Sequence, residues 1–189
     1  MKKVLLSVLV SVLFVNSYAQ DAIVEKNMWG VQIGIPPLSL YQESRLTNTI
    51  ALRTELTMGF AYEYSMGESK WAFIPTVSLE PRFYYNLQKR ASKGKQTTGN
   101  SGNFISLNGG YTPGLAIKSS NADIDASVHI IPTWGFRRNI GTSFNYDIAF
   151  GIGYRATFEE YTPYYGTETI HKTTHGVAYS IRFGIGYKF

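Results

Sequence analysis

Read from residue 178 onward, the chain runs AYSIRFGIGYKF, with Tyr179, Ile181, Phe183, Ile185, Tyr187 and Phe189 at every second position and Ser180, Arg182, Gly184, Gly186 and Lys188 between them. The same alternation fills SFNYDIAFGIGYRATF, where Phe144, Tyr146, Ile148, Phe150, Ile152, Tyr154 and Phe158 oppose Asn145, Asp147, Ala149, Gly151, Gly153 and Arg155. In WAFIPTVSLEPRFYYNL the apolar set extends from Trp71 to Leu87 against Thr76, Ser78, Glu80, Arg82 and Asn86. NTIALRTELTMGFAYEY sets Ile50, Leu52, Leu56, Met58, Phe60, Tyr62 and Tyr64 against Arg53, Glu55, Gly59 and Glu63. FISLNGGYTPGLAI and SVHIIPTWGFR repeat the pattern less regularly. A period of two sustained over ten or more residues predicts strands, because successive side chains of an extended chain point to opposite faces.

These segments are long. WAFIPTVSLEPRFYYNL has 17 residues, whereas strands of water-soluble proteins average about 5 to 6. Aromatic residues sit near both ends of the segments, as in the two interfacial girdles of a membrane barrel. The expected fold is therefore all-β: a transmembrane antiparallel up-and-down barrel.

Six clear strands lie between residues 48 and 189, and WGVQIGIPPLSLYQESRL must supply the rest. Its apolar phase passes at Pro36-Pro37 from odd positions (Trp29, Val31, Ile33, Ile35) to even ones (Leu38, Leu40). A bulge inside one strand would give seven strands, and a tight turn would give eight. Bacterial single-chain barrels have even numbers of strands, which favours eight. Outer loops are then expected near 36–37, 65–70, 118–124 and 159–175, and periplasmic turns near 45–48, 88–102 and 138–142.

At the other end, MKKVLLSVLVSVLFVNSYAQ has the form of a secretory signal, with Lys2 and Lys3, an apolar run from Val4 to Val15, and small residues before a cleavage point after Ala19. The domains expected are thus a signal peptide at 1–19 and a barrel at 20–189, placed in the outer membrane of a Gram-negative bacterium. Removing 1–19 takes away two lysines and no acids, which leaves 16 Lys and Arg against 13 Asp and Glu, a formal charge of +3 over 170 residues. So small an excess gives no support to nucleic-acid binding. The chain has no cysteine, which excludes disulfides, thiolate metal sites and a cysteine nucleophile.

On the phase opposite the apolar residues stand Arg53, Glu55, Glu63, Glu80, Arg82, His129, Asp147, Arg155 and Arg182. Charges of both signs are costly against hydrocarbon but can pair inside a barrel, and eight strands enclose just enough room for side chains to fill. These residues are expected to form a lumenal charge network. His171 and His175 have a spacing that suits a helical metal pair, but they fall in an expected loop without a third ligand, so no metal or cofactor is assigned. A Ser/His/Asp site would need His129, Asp147 and a serine to converge, and the sequence gives no sign of it. Lys89, Arg90, Lys93 and Lys95 make the turn 88–102 basic, a solvated connection or a surface for anionic headgroups or a periplasmic partner.

At EPRFYYNLQKRASKGKQTTGNSGNFISL, residues 80–107, the chain resembles a family of small Gram-negative outer-membrane β-barrel proteins of unassigned function. Glu80-Pro81-Arg82, Tyr84-Tyr85-Asn86, Lys89-Arg90 and Asn100-Ser101-Gly102-Asn103 carry that likeness, with the upstream ALRTEL and the final aromatic strand. The architecture is also similar to the OmpA/OmpX class. The resemblance implies that Tyr187 and Phe189 serve as the signal read by the barrel-insertion machinery. The functional expectation is a non-enzymatic barrel with a structural or accessory role, in contact with outer-membrane lipid and open to an unidentified membrane or periplasmic protein partner. The alternatives are a membrane-embedded lipid-modifying hydrolase and a small-solute channel.

Overall fold

The computed structural model describes residues 22–65, 68–119, 124–161 and 170–189. The signal segment 1–19 lies outside them, as do the tips of three expected outer loops. Nine antiparallel strands follow one another: β1 (Asn27–Ile35), β2 (Leu38–Arg45), β3 (Ile50–Ser65), β4 (Glu68–Tyr84), β5 (Asn103–Thr112), β6 (Ile117–Lys118), β7 (Ala126–Ile140), β8 (Phe144–Tyr161) and β9 (Ile170–Lys188). Eight of them form a closed ring, each paired with its neighbours, with β1 meeting β9 from Gly30↔Lys188 to Ile35↔Phe183. The two-residue β6 is an annex that pairs only with β4. Eight strands around the ring agrees with the parity argument, and the phase change at Pro36-Pro37 is a tight turn between β1 and β2 rather than a bulge.

Ring closure needs backbone to approach backbone at β1. Gly34 has φ +152°, and a Cβ there would lie 2.0 Å from the carbonyl oxygen of Phe183 on β9. Only glycine fits that seam.

The two faces of the sheet have exchanged the usual roles. Leu40, Leu56, Ile105, Ile130, Ile152, Ile181 and Ile33 point outward and are between 43% and 67% exposed, while Arg53, Arg82, Arg137, Glu43 and Asp147 are wholly buried in the lumen. Among the described residues no helix is long and apolar enough to cross a membrane, a fact silent about strands.

One end of the ring gathers the N-terminal segment, the 46–49 turn, the 85–102 connection and the 141–143 turn; the opposite end gathers the remaining connections. That grouping of connections is the one expected, but two of them differ from expectation in form. Within the expected loop 159–175, residues 159–161 and 170–175 are strand, with β8 and β9 paired as far as Tyr161↔Ile170. Leu87 does not continue the outward face of β4: the strand stops at Tyr84, and Leu87 opens a helix, α1 (Leu87–Ala91). The connection 88–102 is accordingly more than a solvated turn. It folds back over the end of the barrel, where Leu87 joins a small apolar core with Val24, Ala51, Tyr84, Phe104 and Ala149.

Candidate functional site

Four strands of uniform phase, β2, β3, β4 and β8, bring four carboxylates to one level of the lumen, Glu43, Glu55, Glu80 and Asp147, and four arginines from β3, β4, β7 and β9 meet them. The cluster is electrically balanced. Arg53 forks onto Glu55, with Nε donating to Oε2 at 2.9 Å and Nη2 to Oε1 at 2.8 Å. Arg82 donates to Glu80 at 2.8 Å and to Asp147 at 3.0 Å. Arg137 reaches Asp147 at 2.9 Å and Glu43 at 2.8 Å. Arg182 closes the set across the β8–β9 side, 3.2 Å from Glu55 and 3.1 Å from Glu80.

Glu43 is the hub. Its Oε1 faces Arg53 (3.4 Å), Arg82 (3.3 Å) and Arg137 (2.8 Å), while Oε2 accepts from the Tyr84 hydroxyl at 3.1 Å and from Asn100 Nδ2 at 2.8 Å. Aromatic faces complete the solvation of the guanidinium groups: Arg53 lies 3.8 Å from the Tyr41 ring centroid and Arg82 4.2 Å from that of Phe104. Burying an ion costs several kcal/mol, which only close pairing and further hydrogen bonds offset. This cluster supplies both.

Immediately below the cluster the barrel has a floor. Asn100 and Ser101 are buried, and Asn100 Oδ1 accepts from the Glu25 backbone N–H at 2.8 Å while Glu25 Oε1 accepts from that of Gly99 at 2.9 Å. The Arg137 backbone N–H donates to the Gly102 carbonyl at 2.8 Å. Lys89, Lys93 and Lys95 stand exposed on the underside, while Arg90 is half-buried and donates to the Gln96 carbonyl at 3.0 Å.

Above the cluster the lumen widens into a cavity of about 570 Å³. Its wall includes Thr57, Ser78, Asn108, Ser127, His129 and Arg155, with Glu55 and Arg182 at its base.

The structure thus unites Arg53, Glu55, Glu80, Arg82, Asp147 and Arg182, as their phase predicts. Glu63 and Arg155 are corrections: both keep the inward phase but are exposed and take no part in the cluster. Glu63 lies opposite Lys70 near the tip of the β3–β4 hairpin, and Arg155 opposite His129 in the open cavity. His129 Nε2 lies 2.9 Å from Asn108 Oδ1. Asp147 is eight residues from Arg155 along β8, roughly 26 Å at the usual strand rise, and does not converge with His129. His171 and His175 are on β9, not in a loop, and four strand residues separate them by about 13 Å. His171 instead faces Glu160 at 3.2 Å and His175 stacks on Tyr154. Tyr187 and Phe189 point outward, their rings in edge contact at 5.7 Å.

Glu43 and Arg137 were not among the residues expected here. Their signal was present: Glu43 shares the phase of Ser39 and Tyr41 opposite Leu38 and Leu40, and Arg137 opposes Trp134 and Phe136. No family model, no curated protein and no solved structure matches this chain.

Proposed function

We propose that this chain is an integral outer-membrane β-barrel of the small eight-stranded kind, non-catalytic, with a structural or accessory role. One observation carries the reading: a continuous girdle of exposed apolar side chains surrounds a core of buried ions. Monomeric soluble proteins seldom expose contiguous apolar patches beyond a few hundred Å², and here the whole circumference is apolar. On β4 the outward run from Phe73 to Phe83 rises by ten residue steps, which at about 3.3 Å each and a tilt near 40° spans roughly 25 Å, the height of the apolar band on outer-membrane barrels.

The floor made by 85–102 and the neutral cluster above it leave the lumen filled at one end, which favours a structural barrel over a solute path. Contacts are then with outer-membrane lipid around the girdle. Tyr187 and Phe189 form the aromatic edge read by the insertion machinery, and Lys89, Lys93 and Lys95 face the periplasm toward anionic headgroups or a protein partner. The test is fractionation of cells expressing the full chain, followed by electrophoresis with and without heating. Outer-membrane recovery with faster migration of the unheated form is expected; recovery in the soluble periplasm would overturn the proposal.

A further inference from the structure

The wall of the barrel is not level. β2 pairs with β3 only as far as Leu38↔Met58, and β1 pairs with β9 only as far as Ile35↔Phe183. Beyond those points β3 and β9 continue, bonded on their far sides to β4 and β8. Above the Pro36-Pro37 turn the ring therefore has a notch as wide as two missing strands, up to roughly 14 Å between backbones at the usual spacing.

The upper cavity reaches through this notch. Phe60, Tyr179 and Ile181 have the outward phase and are more than half exposed, yet they line the same cavity as the inward Thr57, Ser180 and Arg182. The strand residues of outward phase that line it belong to β3 and β9, the two strands that flank the notch, whereas β4, β5, β7 and β8 contribute residues of inward phase. The cavity is polar in the lumen and apolar at its side door, and at about 570 Å³ it lies in the range of small-molecule sites, ~300–1,000 Å³.

Its charges are unequal in their engagements. Glu55 and Arg182 are committed to the cluster below. Arg155 is exposed and makes no ion pair among the described residues; it stands beside His129 and Ser127. Asp125 also lines the cavity but lies four residues from His129 toward the rim.

We propose that the upper lumen binds an anionic single-chain amphiphile, a fatty acid, whose carboxylate lies at Arg155 and whose tail leaves sideways through the notch between β3 and β9. Arg155 supplies the charge-assisted contact, and Phe60, Tyr179 and Ile181 flank the tail where it passes from the lumen to the surrounding acyl chains. The site rests on the membrane reading above, because only a bilayer places acyl chains at the notch.

The full chain is refolded into phosphatidylcholine vesicles and irradiated with palmitic acid bearing a diazirine in its tail, and the labelled peptides are mapped. Label is expected to concentrate on the peptides that contain Phe60 and Tyr179–Ile181. Gly59 lines the cavity beside the notch, and a Cβ there meets nothing closer than the Ile74 carbonyl oxygen at 3.4 Å, so Gly59→Trp is the variant chosen to occlude the door. It should lower that label about tenfold while unheated migration is preserved. Arg155→Gln should lower labelling by the acid about tenfold, the loss of one charged contact, and leave labelling by the matching diazirine hexadecanol unchanged. Label spread evenly over outward faces that include Ile105 and Ile130, or label indifferent to Gly59→Trp, would overturn the site while leaving the barrel standing. Failure of the wild-type chain to show heat-modifiable migration in the vesicles would overturn the membrane reading and the site together.

Discussion

Replacing Glu43 by Gln changes almost no volume and tests the ionic cluster at its centre. In the native lumen four guanidinium groups face four carboxylates, and Glu43 touches three of the four arginines, the same three that Asp147 meets. The substitution leaves a buried excess of one positive charge. It also turns an amide NH₂ or an oxygen toward Tyr84 and Asn100, two groups that donate to Glu43 in the native protein. Breaking a buried pair by removing one partner costs about 3 to 5 kcal/mol, and Glu43→Gln is expected within that range. The assay is urea unfolding of the refolded barrel in lipid vesicles, followed by the fluorescence of Trp29, Trp71 and Trp134. Arg137→Gln, added to Glu43→Gln, restores neutrality and should recover part of the loss, with a coupling energy of about 1 to 3 kcal/mol in the double-mutant cycle. A single-mutant cost below about 1 kcal/mol, or simple addition of the two costs, would refute an electrostatic cluster and leave only packed side chains.

Three further outcomes follow from features on other parts of the barrel. Gly34→Ala should block closure between β1 and β9, because its Cβ would meet the Phe183 carbonyl oxygen at 2.0 Å; loss of the faster-migrating unheated form checks it, and normal migration would show that the seam can spread. Ser92→Cys, beside α1, should resist an impermeant thiol reagent on intact cells while Lys172→Cys on the β8–β9 hairpin reacts, and the reverse pattern would invert the assigned orientation. Phe189→Asp should reduce assembled barrel in cells far more than it reduces the stability of barrel refolded in vitro, since one interfacial side chain is worth only a few kcal/mol; equal effects in both measurements would make Phe189 a girdle residue and nothing more.

Phase was legible in the sequence and depth was not. Alternation alone assigns Arg53, Glu55, Glu80, Arg82, Asp147 and Arg182 to the inner face, and it would assign Glu43 and Arg137 there as well. What separates the cluster from Glu63 and Arg155 is height along the barrel, which depends on the stagger between strands. Pairs such as Glu43↔Arg53 and Arg137↔Asp147 fix that stagger through non-local hydrogen bonding, and no local pattern encodes it. The floor escaped for another reason. A helix of five residues that buries one leucine has no periodicity to detect, and Leu87 happens to continue the β4 alternation for one more step. The notch, by contrast, was implicit in the short segments on either side of Pro36-Pro37, whose eight or nine residues cannot match the sixteen to nineteen of β3, β4, β8 and β9.

The eight ions of the cluster come from β2, β3, β4, β7, β8 and β9, and their partners are divided across the ring. Arg137 meets Glu43 only when strands far apart in sequence have been wrapped into one cylinder, and Arg182 meets Glu55 and Glu80 only then as well. A partly wrapped sheet would hold unpaired charges in a poorly solvating interior, a state of high free energy with nothing to stabilise it. Assembly and disassembly should consequently pass through a single steep barrier with no resting place between, so that the finished cylinder persists by the slowness of its opening, not by equilibrium stability alone.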